Sequence, residues 1–177
     1  MKLVIPMAGL GTRMRPHTWS RPKPLLPLAG QTMLDHILDS FDEISFEEYV
    51  FIIGYMGDQV RAYVKQNYAL PTHFVEQHEM LGQAHAIWLA REHLEGPLLL
   101  TYVDTLLDEM DLSGLNDEAL DGAIFTHQVE DPRRFGVVET DDEGWAKKLI
   151  EKPDTKENKD VLVWLYYFRD GEWLDRA

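Results

Sequence analysis

The sequence predicts an α/β protein of three layers, a mostly parallel mixed sheet with helices on its faces and antiparallel additions in the C-terminal third. Three observations predict it. Short apolar runs alternate with helical stripes over residues 1–104, the order expected of β-α-β units joined by right-handed crossovers. Leu98–Val103 is a continuous run dominated by apolar residues, as befits a central parallel strand covered on both faces. After it, strand-like segments follow one another with no helix between them, a pattern that calls for antiparallel pairing.

The elements read as follows. Lys2–Pro6 is a buried strand. Met33, Leu34, Ile37, Leu38 and Phe41 recur at spacings of three and four, which predicts a helix. Tyr49–Ile53 is a strand stopped by Gly54, Asp58–Asn67 a short helix carrying Val60 and Val64, and His73–Val75 a strand. A helix starts after Gly82, with Ala84, Ile87, Trp88 and Arg91 along one side. Gly122–Val129, Phe135–Glu139, Trp145–Ile150 and Val161–Phe168 read as strands, with turn chemistry at Asp141–Gly144. The aromatic run Trp164–Phe168 is read as a buried part of the last strand. Pro153–Asp160 reads as an exposed loop, Asp108, Glu109 and Asp111 as a solvated acidic turn, and Gly171–Ala177 as the opening of a helix cut short.

Composition narrows the function classes. The 177 residues amount to a single domain. With 45% hydrophobic residues the chain can form a packed core. It has no cysteine, which excludes disulfides, thiol catalysis and thiolate metal sites. The seven histidines show no paired ligand spacing, which argues against zinc. No run approaches the roughly 18 apolar residues of a membrane helix, and no secretory leader is visible, so the expected compartment is the cytoplasm. The net charge of −14 speaks against a nucleic-acid or anionic-membrane partner. That charge is uneven. Residues 1–34 hold five basic side chains, Lys2, Arg13, Arg15, Arg21 and Lys23, and no acid. A basic, glycine- and proline-rich start to an acidic protein implies a local site for a small anion.

The residues that would build such a site follow the first strand. Met7, Ala8, Gly9, Leu10, Gly11 and Thr12 lead into Arg13 and Arg15. A glycine-containing loop at the carboxyl end of a parallel strand exposes backbone N–H groups and lets a phosphate approach closely. It is not a Walker A loop, because no Gly-Lys-Ser/Thr closes it. Lys23 then stands between Pro22 and Pro24. Each ring fixes its own φ and restricts the residue before it, so Lys23 is presented from a stiffened segment. Asp104 ends the apolar run, where a doubly wound sheet places its ligand cleft. A carboxylate there suits Mg²⁺, a hard ion that favours oxygen ligands and substrate phosphates; a turn or cap aspartate is the plainer alternative.

The chain resembles the sugar-1-phosphate nucleotidylyltransferases. The likeness rests on Gly9-x-Gly11-Thr12-Arg13-x-Arg15-Pro16, Pro22-Lys23-Pro24 and Pro27-x-x-Gly30. It continues in Gln77-x-x-x-x-Gly82-Gln83-Ala84-x-Ala86-Ile87, Phe135-Gly136-Val137-Val138-Glu139 and Glu151-Lys152-Pro153. The resemblance implies a Rossmann-like fold, in keeping with the element order, and one domain. Residues 1–104 would be its nucleotide-binding half and 105–177 its sugar-binding half, the latter truncated at the C-terminus. It implies condensation of a nucleoside triphosphate with a sugar 1-phosphate, dTTP or UTP being favoured, to give an NDP-sugar and pyrophosphate with Mg²⁺. By resemblance Arg13 grips the triphosphate and Lys23 neutralises charge at the α-phosphoryl group. Met7, Ala8, Gly9, Gly11 and Thr12 meet the nucleotide, Gln77 reads the base and Gly82 leaves room for it. Gly136, Glu151 and Lys152 meet the sugar and its phosphate, and Asp104 binds the metal. Assembly as a homo-oligomer is left open. Guanylyl transfer to mannose 1-phosphate, cytidylyl transfer to a phosphocholine-type acceptor, and a non-catalytic binding or regulatory module stand as alternatives.

Three departures from the family pattern matter. Val103 stands where the family usually has glycine, before the metal aspartate, and its branched side chain is expected to crowd the ribose or sugar. Trp164 stands where the family often has a small residue, and is expected to narrow the sugar pocket. The second metal aspartate of catalytic members comes from beyond residue 177, and no counterpart is found in this chain.

Overall fold

The structure, a computed structural model, describes residues 1–107, 112, 115 and 120–176; the acidic turn expected at Asp108, Glu109 and Asp111 lies outside these. Its strands are β1 (Lys2–Pro6), β2 (Pro27–Leu28), β3 (Gln31–Thr32), β4 (Glu48–Ile53), β5 (Thr72–Glu76), β6 (Leu98–Thr101), β7 (Gly122–Gln128), β8 (Gly136–Thr140), β9 (Ala146–Glu151) and β10 (Asp160–Phe168). Its α-helices are α1 (Met33–Asp39), α2 (Gly57–Asn67) and α3 (Gln83–Leu89). β2 and β3 form a small separate hairpin.

The main sheet has eight strands in the order β5-β4-β1-β6-β10-β8-β9, with β7 pairing β10 as well. β4, β5 and β6 join β1 in a parallel block. β10 runs antiparallel to β6, and β7 and β8 run antiparallel to β10. β7 and β8 therefore point the same way as β1, and only β9 and β10 are reversed. This is the mostly parallel mixed sheet expected. The run ending at Val103 is a parallel strand on one side only, since β10 closes its other edge.

Alternation along the central strands sends side chains to two cores. Leu3, Ile5, Phe51, Ile53 and Leu99 face Leu34, Ile37 and Leu38 of α1 and Val60 and Val64 of α2. Val4, Val50, Ile52, Leu98 and Leu100 pack with Ala86, Ala90 and Leu94. Both faces of these strands are buried, hence the unbroken apolar runs. α1 starts at a capping box: the Thr32 hydroxyl accepts from the Asp35 N–H at 3.1 Å and the Asp35 carboxylate from the Thr32 N–H at 2.8 Å. Asp35 is buried and also accepts from the Tyr63 and Tyr68 hydroxyls, tying α1 to α2.

α3 starts after Gly82 as expected and buries Ala86 and Ala90; Ile87 packs partly against the same core, while Trp88 is 48% exposed with the Arg91 guanidinium 4.1 Å over its ring. Two alanines a helical turn apart let the helix lie close on the sheet. One expectation is corrected: the aromatic run of β10 is not buried throughout. Leu165 and Tyr167 are in the core, but Trp164 is 40% exposed. There the ladder to β7 slips between Leu162 and Tyr166, and Trp164 takes the left-handed conformation, φ +54°.

Candidate active site

The site forms where the parallel strands end. The Met7 N–H donates to the Ile52 carbonyl at 2.8 Å and the Tyr55 N–H to the Ala8 carbonyl at 3.0 Å, so the chain leaving β1 stays strapped to β4. Gly54 permits this: a Cβ on it would fall 2.7 Å from the Ala8 Cβ and 2.9 Å from the Gln77 carbonyl oxygen. Gly11 adopts φ +61°, and a Cβ there would meet Thr18 Cγ2 at 2.8 Å. The buried Thr18 hydroxyl donates to the Gly11 carbonyl at 2.9 Å, closing the loop around the one-turn 3-10 segment Thr12–Met14. Arg13 is exposed at the loop tip and makes no hydrogen bond or ion pair among the described residues.

Pro22 and Pro24 are buried, which anchors the segment from which Lys23 projects. Its Nζ reaches the Asp104 Oδ2 at 2.5 Å across the mouth of the sheet. Asp104 is 56% exposed, and no backbone N–H of the described residues donates to it. Gln77 follows β5, with its N–H bonded to the Ile53 carbonyl at 2.8 Å. Its side chain is 5% exposed. The amide Nε2 donates to the Gly82 carbonyl at 3.0 Å and lies 3.2 Å from His85 Nδ1. Both amide hydrogens are thereby engaged within the protein. Gly82 has φ +104°, a conformation that favours glycine at the start of α3. No protein atom lies where its Cβ would be.

These groups line one cleft of about 640 Å³, within the range of small-molecule sites. Met7, Ala8, Gly9, Gly11, Thr12, Arg13, Lys23, Gln77, Gly82 and Asp104 all border it. Tyr102, Val103 and Trp164 border it too. Val103 is only 4% exposed and packs into the core under α1 and α2, so the aromatic pair supplies the more open wall. Tyr102 and Trp164 meet edge-to-face at 5.7 Å. Burial, with the charges of Tyr166 and Asp104 adding to it, pushes the Tyr102 phenol up to about 12. It therefore remains a hydrogen-bond donor at neutral pH.

Gly136, Glu151 and Lys152 sit elsewhere and do not border this cleft. Gly136 pairs with Glu151 across β8 and β9, and a Cβ on Gly136 would touch the Glu151 carboxylate at 3.4 Å. Lys152 has φ +47° and its N–H donates to the Phe135 carbonyl at 2.9 Å. The Lys152 and Glu151 side chains are mostly exposed and lie 3.4 Å apart. Sequence reasoning had passed over Thr18, Gly54, His85 and Tyr102. Of these only Gly54 left a trace, as a strand stop; the others act through contacts distant along the chain.

A glycine loop, two cations and a carboxylate at the carboxyl ends of parallel strands define a nucleotide-handling α/β protein. Residues 2–177 match the family model described as Nucleotidyl transferase, and the chain belongs to that family. It is 32% identical over 163 residues to the bifunctional protein GlmU of Methanococcus maripaludis, covering 92% of this chain and 38% of that protein. It is 31% identical over 175 residues to the low-salt glycan biosynthesis nucleotidyltransferase Agl11 of Haloferax volcanii, covering 95% and 49%. The chain thus spans about two fifths to one half of the length of these curated relatives. A Bacillus anthracis protein assigned as a glucose-1-phosphate thymidylyltransferase, solved with sucrose, superposes with a TM-score of 0.85 at 21% identity, over 98% of this chain and 73% of its own. A UDP-glucose pyrophosphorylase solved with UDP-glucose gives 0.80 at 22%, over 95% and 75%. At these identities the superpositions establish the fold, and with the family match they uphold the kinship read from the motifs. Among the described residues no helix is long and apolar enough to cross a membrane.

Proposed function

We propose that this chain transfers the nucleotidyl group of dTTP or UTP to a hexose 1-phosphate. A phosphate oxygen of the sugar attacks the α-phosphorus in line, the bond from that phosphorus to the bridging oxygen breaks, and pyrophosphate leaves with the electron pair. The observation that carries this reading is the single cleft in which the Gly9–Arg13 loop, Lys23, Gln77, Gly82 and Asp104 converge. Such a displacement asks little covalent chemistry of the protein; positioning and charge stabilisation dominate. The backbone of Gly9 and Gly11 receives the phosphates, Arg13 brings a cation with no carboxylate partner among the described residues, and Lys23 faces the reacting phosphorus. Residues 1–104 carry the nucleotide half of one domain. The later strands carry the sugar half, with Gly136, Glu151 and Lys152 as its outer members.

Gln77 supports the choice of base. With both amide hydrogens engaged by Gly82 and His85, its Oε1 is the group left to pair with a ligand. An acceptor suits bases with a ring N–H on the pairing edge, which uracil, thymine and guanine have; cytosine and adenine offer only an exocyclic amino donor there. The resemblance of the Gln77–Ile87 stretch favours the pyrimidines among them.

Asp104 is the residue that would hold Mg²⁺. A half-exposed carboxylate bordering the cleft fits a hard ion whose remaining ligands are water and substrate oxygens. Among the described residues no group of three carboxylates or histidines gathers into a site complete without substrate. When bound, the ion supplies charge neutralisation at the phosphates. Lys23, paired with Asp104 at 2.5 Å, stands beside the carboxylate that would hold the ion and would add its own charge at the substrate phosphates.

The test is pyrophosphate release from dTTP and UTP with glucose 1-phosphate and Mg²⁺, for the wild type and for Arg13→Ala and Lys23→Ala. Each substitution should slow turnover by roughly 100-fold, about 3 kcal/mol of transition-state stabilisation; melting should be unchanged for Arg13→Ala and within about 4 °C of wild type for Lys23→Ala, which also loses the Asp104 pair. Near-normal rates in both variants would refute the assigned site. Nucleotide binding without pyrophosphate release in the presence of any sugar phosphate would mark a binding module.

A further inference from the structure

Trp164 combines two unusual features. Of the four non-glycine residues at positive φ among the described residues, it is the only aromatic one. A bulky residue held at φ +54° is strained, and such strain persists where the surroundings over-determine it, often at functional sites. It also falls where the β10–β7 ladder loses register, between Leu162 and Tyr166. An irregularity of this kind re-aims a side chain. Beyond it ordinary alternation resumes, with Leu165 and Tyr167 entering one core and Tyr166 and Phe168 the other. Trp164 itself is 40% exposed, borders the cleft and meets Tyr102 edge-to-face at 5.7 Å.

Sheet order says what this wall faces. β5-β4-β1-β6-β10 places Gln77 at one end of the cleft, the glycine loop and the Lys23–Asp104 pair in the middle, and Trp164 at the other end. If base and phosphates occupy the first two stretches, the space beside Trp164 is left for the acceptor. Resting on the transferase reading above, we infer that Trp164 is the specificity-determining wall of the acceptor subsite. It selects a pyranosyl 1-phosphate that lays a C–H face of its ring on the indole, and it excludes acceptors with a bulky substituent directed at that wall. Tyr102 braces the indole from the side. The aromatic face offers a large apolar surface at small entropic cost, and the fixed backbone aims it.

The experiment compares the wild type with Trp164→Phe and Trp164→Gly. Glycine adopts this backbone without strain, which offsets part of the lost Tyr102 contact, so Trp164→Gly should still fold, checked by a thermal melt; Trp164→Phe keeps an aromatic face should glycine fail to fold. Pyrophosphate release is measured against glucose 1-phosphate, N-acetylglucosamine 1-phosphate and the nucleoside triphosphate. In Trp164→Gly the KM for glucose 1-phosphate should rise about tenfold. Relative use of the acetamido sugar should rise by a similar factor, with the nucleotide KM within twofold of wild type. Trp164→Phe should fall between the two. Unchanged acceptor KM and preference in the variants, or a nucleotide KM that shifts as far as the acceptor KM, would overturn the inference while leaving the transferase reading intact. A wild type that releases no pyrophosphate with any sugar phosphate would overturn the transferase reading itself, and this inference with it.

Discussion

Replacing Asp104 by asparagine preserves shape and removes one charge. The structural cost is small and can be worked out. The side chain is 56% exposed, its partner is Lys23 Nζ at 2.5 Å, and no backbone N–H of the described residues depends on it. Exposed ion pairs contribute about 0.2–1 kcal/mol. For a chain of this length a loss of about 1 kcal/mol lowers Tm by roughly 2–4 °C. The catalytic cost lies on another scale. If Asp104 anchors the metal over the phosphates, its loss should lower turnover by a factor on the order of 100–1,000. The assay is pyrophosphate release as a function of Mg²⁺ at saturating nucleotide and sugar phosphate, beside a thermal melt of the same preparation. Asp104→Asn should need far more Mg²⁺, or show no saturation, while melting within a few degrees of wild type. An asparagine variant with the wild-type Mg²⁺ dependence and rate would refute the reasoning. So would a fall in Tm well beyond 4 °C accompanying the lost activity, because the aspartate would then be a structural residue.

Two further outcomes are expected. Gln77→Ala should lessen the preference for uracil, thymine and guanine nucleotides over cytosine and adenine ones more than it lowers the best rate; a rate series across five nucleoside triphosphates checks this, and an unchanged preference would move base reading to the Met7–Gly9 backbone. Asp35→Ala should lose about 1–3 kcal/mol at pH 7, since it removes half of the capping box and leaves two partly buried hydroxyls short of a partner. Burial by itself would raise the Asp35 carboxyl, but hydrogen bonds from Tyr68, the Thr32 N–H and Tyr63 outweigh it and hold the group below the usual carboxylate range. A folded value below the unfolded one means that this stability is complete above about pH 4 and drains away as pH falls through the folded value. Denaturant titrations should therefore find wild type and variant converging in acid, and parallel pH profiles would disprove the coupling.

What could be read from the sequence was whatever depends on neighbours along the chain. The runs Lys2–Pro6, Tyr49–Ile53 and Leu98–Val103 announced buried strands because both their faces are apolar. Met7–Thr12, Lys23 and Asp104 announced a cleft because each stands just after a strand or between two prolines. What stayed hidden depends on partners far away. Ala86 and Ala90 are too small to register as a stripe, yet they bury α3. Gly54 reads as a stop, and only the packed structure reveals Ala8 and Gln77 pressed against it. His85 is one of seven histidines until its ring is found 3.2 Å from the Gln77 amide. Trp164 fits the pattern of an aromatic strand, and nothing local foretells the slip in register that turns it into the cleft.

The order in which the central strands are made bears on how this site is assembled. β1 is synthesised before the strands it pairs with, residues 48–52 and 98–100. It has only one of its two neighbours until about a hundred residues exist. β10, which closes the far edge of β6, arrives through Leu165–Phe168. Contacts so distant along the chain slow folding, because the entropy of large loops must be given up before the pairing returns anything. The loop from Met7 to Arg13 hangs from β1 and is strapped to β4, so it takes its shape only once these later strands have docked. This chemistry-bearing segment leaves the ribosome well before the strands that set its shape. During that interval the unpaired edges of β1 are open to pairing with other chains.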